Sequence, residues 1–72
     1  MHVHPTPQIL YAKVVELADK RGIPIYKIEE NTGLARGAIS KWNKSFPNSI
    51  SLLKVAKYLG VTMEFLLGEK DD

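Results

Sequence analysis

The side chains best suited to chemistry in this 72-residue chain are basic, and they are unevenly distributed. Between Asn31 and Met63 the sequence contains five basic residues and no acidic residue. They are Arg36, Lys41, Lys44, Lys54 and Lys57. Such a segment gives its surface a positive potential, which favours a polyanion such as nucleic acid as the partner. The alternative is that these charges only solvate an exposed face, and charge alone leaves both interpretations open.

The other polar residues indicate neither nucleophilic catalysis nor metal binding. Serines, histidines and carboxylates do not show the spacing of a nucleophile with a base and an orienting group, so we expect the protein not to be an enzyme. His2 and His4 could be interpreted as a metal-binding pair, but the sequence places no third ligand near them and contains no cysteine. We therefore expect no catalytic residue, no metal, no cofactor and no small-molecule ligand.

Helices must position the basic segment, because apolar residues recur along the chain at helical spacing. The first helix begins after Thr6 at Pro7 and ends before Gly22. Its apolar stripe consists of Leu10, Val14, Leu17 and Ala18. Four further helices are predicted over residues 25–31, 36–44, 49–59 and 63–67. The apolar positions of the helix over 49–59 are Leu52, Val55, Ala56 and Leu59. No strand is predicted, and the expected fold class is all-α.

Residues 22–44 follow the pattern of a helix-turn-helix, with a short helix, a tight turn centred on Gly33 and a second helix. Ile39 and Trp42 share the inward face of that second helix. Its outer face carries Arg36, Gly37, Ser40, Lys41 and Lys44. In DNA-binding proteins of this type the outer face enters the major groove, N-terminal residues first. Small residues at this end of the helix allow its backbone to approach the base edges.

Three motifs in register resemble the Cro/C1-type (XRE) helix-turn-helix family of short phage and mobile-element repressors. They are residues 33–42 (GLARGAISKW), 52–61 (LLKVAKYLGV) and 65–68 (FLLG). The resemblance covers about residues 10–69 and implies a compact, lambda-repressor-like five-helix bundle in which helices 2 and 3 form the helix-turn-helix. It also implies a transcriptional regulator, in the form of a repressor that binds a palindromic operator in double-stranded DNA as a homodimer. The two half-sites would lie about 34 Å apart.

The resemblance assigns roles to individual positions. It implies that the residues reading DNA bases are Arg36, Gly37, Ala38, Ser40 and Lys41, and an arginine can bind guanine through two hydrogen bonds. The residues that would contact the DNA backbone are Tyr26, Lys27, Asn43, Lys44 and Ser45. Independently, the run of apolar residues in the last helix predicts a dimer interface at Phe65, Leu66 and Leu67. The alternative is that two of these three residues simply close the end of the bundle.

At three places the chain departs from the family pattern. Many members begin the second helix with Ser-Gln and use the glutamine to brace a phosphate, whereas this chain has Pro24-Ile25, which lacks that side chain. The usual serine cap of the third helix is replaced by Ala35, so we expect that helix to lose about 1 kcal/mol of capping. A small alanine within the second helix is replaced by Glu29. We expect the Glu29 carboxylate to reach solvent or to pair with Arg36 or Lys41.

The sequence predicts one domain over residues 6–69, with a disordered N-terminus at 1–5 and a frayed C-terminus at 70–72. We expect a cytoplasmic protein without membrane contact, because no signal peptide is apparent and no apolar stretch approaches the roughly 20 residues that span a bilayer. Two alternatives stay open. The same fold can serve as a protein-interaction module, such as an antitoxin or antirepressor, and the chain can be the DNA-binding fragment of a longer repressor.

Overall fold

The computed structural model describes residues 6–68, which form five α-helices and no strand. The helices are α1 (Pro7–Lys20), α2 (Ile25–Thr32), α3 (Ala38–Lys41), α4 (Ser49–Leu59) and α5 (Met63–Leu66). The predicted all-α class is therefore confirmed for this part of the chain. The expected disordered termini, together with His2 and His4, lie outside the described residues. No helix over 6–68 is long and apolar enough to cross a membrane.

Local capping residues explain where most of these helices begin and end. The hydroxyls of Thr6 and Thr62 and the side-chain oxygen of Asn48 each accept a hydrogen bond from the backbone N–H three residues later, over 3.1, 3.0 and 2.8 Å. Gly33 and Gly60 end α2 and α4 in the left-handed conformation, with φ of 76° and 72°. The predicted bounds of α1, α2, α4 and α5 are confirmed to within one residue.

The third helix is much shorter than the predicted 36–44. Gly37 has a φ of 88°, and this left-handed conformation interrupts a right-handed helix, so α3 begins only at Ala38. After α3 the chain continues as turns, in which the N–H groups of Asn43 and Lys44 bond to carbonyls three residues earlier, over 3.3 and 3.0 Å. Arg36 and Lys44 therefore flank α3 instead of belonging to it, and the predicted bounds of this helix are wrong.

The apolar faces of all five helices meet in one core. Its large, fully buried side chains are Leu10, Val14, Ile28, Ile39, Val55, Leu59 and Leu66. Trp42 is also buried, at 4% exposure, so the predicted inward face of Ile39 and Trp42 is confirmed. Within this core α2 packs against both α3 and α4. Because a helix of a single turn has little stability of its own, α3 owes its position to this packing.

Helix α5 does not present the apolar surface that its sequence suggests. Leu66 is 0% exposed, because α5 packs against α1 and α4. Phe65 and Leu67 are partly buried against the same core. The Nζ atom of Lys13 lies 5.0 Å from the centre of the Phe65 ring. Leu66 is therefore a core residue whose side chain cannot contact a second subunit, which corrects its predicted place in a dimer interface.

Candidate nucleic-acid interface

The predicted DNA-contacting residues lie on α3, in the turns at its two ends and on the first turn of α2. Of the ten, those exposed are Tyr26, Lys27, Arg36, Ser40, Lys41, Asn43, Lys44 and Ser45, whereas Gly37 and Ala38 are half-buried. We call α3 and its two flanking turns, residues 36–45, the α3 surface. It contains no acidic residue, and it presents three basic side chains to solvent.

Glu29 provides the cap for α3 that Ala35 cannot provide. Its carboxylate is 3% exposed and accepts hydrogen bonds from the backbone N–H groups of Gly37 and Ile39, over 3.1 and 3.0 Å. Such N–H groups at the start of a helix have no partner within the helix itself. The expectation that Glu29 reaches solvent or pairs with a basic side chain is therefore wrong. Instead, Glu29 connects the middle of α2 to the start of α3.

The other end of α3 is held by α1. The side-chain amide of Gln8 donates a hydrogen bond to the backbone carbonyl of Asn43 over 3.0 Å. This carbonyl lies in the turn just after α3, where helix geometry leaves carbonyl groups without partners. Sequence reasoning missed Gln8, because 35 residues separate it from Asn43 and no local pattern connects the two. The α3 surface is thus attached to α2 at the start of α3 and to α1 just beyond the end of α3.

Arg36 lies in the turn before α3 and contacts an aromatic ring on α2. Its guanidinium carbon is 5.6 Å from the centre of the Tyr26 ring, which is within the range of a cation–π interaction. The Tyr26 side chain is 50% exposed, so this contact lies at the molecular surface. Beside it is a surface cavity of about 210 Å³, lined by Tyr26, Glu29, Glu30, Leu34 and Arg36.

The remaining basic residues of the acid-free segment lie on α4. Lys54 and Lys57 line a groove together with Asn31, Thr32 and Tyr58, and no residue of the α3 surface contributes to it. The side-chain amide of Asn31 donates a hydrogen bond to the Tyr58 hydroxyl across this groove, over 2.9 Å. The positive charge that the sequence shows as one segment is thus divided between two surfaces.

Most of the large exposed apolar side chains lie on α4 or just before it, one lies on α2, and none of those in residues 6–68 lies on α5. Within residues 6–68 they are Tyr26, Phe46, Ile50, Leu53 and Tyr58. Ile50 is the most exposed of these, at 67%. Of the residues predicted to form a dimer interface, only Phe65 and Leu67 keep partial exposure. The large apolar side chains that stay exposed thus lie mainly on and before α4, and the interface predicted on α5 retains two partly exposed residues.

The α3 surface can donate hydrogen bonds and present positive charge. The Arg36 guanidinium offers a fixed fork of N–H donors, and the ammonium groups of Lys41 and Lys44 each offer three. Ser40 and Asn43 can both donate and accept hydrogen bonds. Over residues 6–68 there is no group of three His, Asp or Glu side chains that could hold a metal ion. The chemistry of this surface is therefore that of binding an anionic partner rich in hydrogen-bond acceptors.

Comparison with known proteins identifies no family for this chain. No protein-family model matches it, and neither a curated protein nor a solved structure does. The geometry and chemistry of the α3 surface are therefore the observations that bear on function.

Proposed function

We propose that this chain is a sequence-specific regulator of transcription that binds double-stranded DNA through a helix-turn-helix formed by α2 and α3. One observation carries the proposal. Exposed donor side chains lie on a one-turn helix and its two flanking turns, within a segment that contains no acidic residue, and Glu29 and Gln8 hold this segment from two other helices. A surface whose only role is to be solvated does not require hydrogen bonds from other helices to hold it. Reading base edges, in contrast, requires donors in fixed positions.

In this proposal α3 enters the major groove. Ser40 and Lys41 face the base edges from α3, and Arg36 reaches them from the preceding turn. Gly37 and Ala38 allow close approach of the backbone, and a methyl group at position 38 can contact a thymine methyl. The residues that contact phosphates and fix the orientation of the protein are Tyr26, Lys27, Asn43, Lys44 and Ser45.

We also propose that the protein acts as a homodimer on a palindromic operator. The half-sites of such operators are about 34 Å apart, one turn of the duplex. The chain measures 36 × 23 × 18 Å along its principal axes, so two copies side by side can present equivalent α3 helices at about that separation. This is the mode of action of the Cro/C1-type (XRE) repressors that the sequence resembles. The location that we propose for the protein is accordingly the cytoplasm of a prokaryotic cell.

Selection of binding sites from a random pool of duplexes tests this function. The wild-type protein should enrich a two-fold symmetric sequence. Arg36→Ala should still bind but lose its preference at one base pair per half-site, because a bidentate contact to guanine contributes about 1–3 kcal/mol of discrimination. Its free energy of unfolding should fall by no more than about 1 kcal/mol, because Arg36 is exposed and loses only its surface contact with Tyr26. As a matched control, Lys54→Ala on α4 should keep the full preference.

Failure of the wild-type protein to enrich any duplex sequence would contradict the proposal. That is the result expected of the rival function, a protein-interaction module such as an antitoxin or antirepressor. An Arg36→Ala protein that melts earlier but keeps its base preference would instead show that Arg36 has a structural role.

A further inference from the structure

We infer that Tyr26 is a positioning residue for Arg36. The aromatic ring of Tyr26 orders the guanidinium of Arg36 before DNA is bound. Within the proposed DNA-binding function, on which this role depends, Tyr26 then determines how strongly Arg36 discriminates its base pair. The role differs from the phosphate contact that the family resemblance implies for Tyr26, because it requires the ring and not the hydroxyl.

Arg36 is fixed from two directions. Its guanidinium carbon lies 5.6 Å from the centre of the Tyr26 ring. Its main chain is fixed by the next residue, Gly37, whose N–H is bound to the buried Glu29 carboxylate over 3.1 Å. The side chain and the backbone of Arg36 are thus both attached to α2. An arginine at this site has far fewer conformations than one on an unsupported turn.

Arg36 forms no ion pair with the two acidic residues beside it. Two carboxylates line the same cavity, those of Glu29 and Glu30. Glu29 is engaged with two backbone N–H groups, and Glu30 lies 3.6 Å from the ammonium of Lys27. The N–H donors of the Arg36 guanidinium are therefore not taken up by these two carboxylates and can bind an external partner.

The contact with Tyr26 leaves the guanidinium able to bind guanine. The guanidinium has five N–H donors, more than one ring contact can use, so a pair of donors stays available for a bidentate contact. Ordering a flexible side chain at an interface lowers affinity, and a protein that has already ordered it avoids this loss. The Tyr26 ring should therefore strengthen binding to the correct base pair and have little effect on binding to unrelated duplexes.

A measurement without DNA tests the ordering itself. An aromatic ring shifts the NMR signals of protons that lie over its face. The Cδ protons of Arg36 should be shifted upfield in the wild-type protein and in Tyr26→Phe. In Tyr26→Ala they should return to the position found for an unstructured arginine. Unshifted Cδ protons in the wild-type protein would overturn the proposed ordering.

A binding experiment tests the consequence for specificity. The quantity measured is the ratio of affinities for the selected operator and for a scrambled duplex of equal length. Tyr26→Ala should reduce this ratio about two- to tenfold, the loss expected from ordering one flexible side chain on binding, and Tyr26→Phe should leave it unchanged. In an Arg36→Ala background, Tyr26→Ala should have no further effect. Tyr58→Ala, which removes an exposed tyrosine from α4, is the matched control and should keep the ratio.

Three results would overturn the inference. Equal losses in Tyr26→Phe and Tyr26→Ala would show that the hydroxyl makes the contribution, for example through a hydrogen bond to a base, and not the ring. A loss in Tyr26→Ala that persists without Arg36 would show that Tyr26 acts independently of it. If the wild-type protein does not distinguish the two duplexes, the proposed function fails together with the role of Tyr26 in specificity, and the proton shifts still report separately on the ordering of Arg36.

Discussion

At the scale of single residues, the buried carboxylate of Glu29 is the contact on which the start of α3 depends most. Glu29→Ala leaves the N–H groups of Gly37 and Ile39 without their acceptor. The free energy of unfolding should fall by about 2–4 kcal/mol, because each buried donor without a partner costs about 1–3 kcal/mol. Urea denaturation of the two proteins measures this difference.

The neighbouring Glu30 provides the control for Glu29. Its side chain is 65% exposed and pairs with Lys27, which is 52% exposed. Glu30→Ala should change stability by no more than about 0.5 kcal/mol, since exposed ion pairs contribute little. If the two substitutions have equal effects, the hydrogen bonds of Glu29 make no net contribution to stability.

The residue scale is also where sequence reasoning about the site was weakest. Glu29 stood out as an unusual residue for its position, yet its partners could not be identified. They lie eight and ten residues further along, beyond a turn whose backbone conformation the sequence leaves open. The same is true of Arg36 and Tyr26, because their contact depends on the path of that turn.

At the scale of helices, prediction succeeded where the signal is local. The helices α1, α4 and α5 begin directly after Thr6, Asn48 and Thr62, each a residue type whose side chain caps the helix that follows it. It failed for α3, because Gly37 was interpreted as a small residue within a helix. Glycine adopts right-handed and left-handed conformations about equally well, so the choice at this position depends on tertiary contacts.

Gly37→Ala tests whether the positive φ at this position determines where α3 begins. A Cβ atom at Gly37 would meet no other atom within 4 Å, so the effect should come from the backbone alone. We expect a loss of about 1–2 kcal/mol in the free energy of unfolding, the usual penalty of the left-handed conformation for a residue with a Cβ. Gly37→Asn should lose less, because asparagine tolerates this conformation. Thermal and urea unfolding measure both, and an alanine variant as stable as the wild type would contradict the assignment.

At the scale of the whole molecule, the sequence predicted most of the core but not all of the surface. Helical periodicity identified the buried residues of α1 and α4, because those helices are long enough to show a repeating face. Helix α5 has four residues and no such repeat. The burial of Leu66 is decided by the packing of α5 on α1 and α4, which no pattern within α5 encodes.

The arrangement of the helices also separates the charges of the molecule in space. The N-terminal end of α1 lies against the turn after α3, through the hydrogen bond between Gln8 and Asn43. Its C-terminal end lies near the end of α4, where Arg21 donates a hydrogen bond to the carbonyl of Leu59. Lys20 is therefore about 18 Å along α1 from Gln8, at 1.5 Å per residue. That separation is about twice the screening length of roughly 8 Å at physiological ionic strength.

Lys44 and Lys20 therefore make a matched pair for testing the proposed interface as a whole. Both are exposed, and each substitution by alanine removes one positive charge, so the net charge of the protein changes equally. If Lys44 contacts a phosphate, Lys44→Ala should weaken binding to all duplexes alike. The slope of log affinity against log salt concentration should then become shallower by about 1.

Lys20→Ala should leave the slope nearly unchanged, because the charge of Lys20 is screened from the duplex. Equal changes in the two variants would mean that net charge alone drives binding, and an unchanged slope in Lys44→Ala would remove Lys44 from the interface.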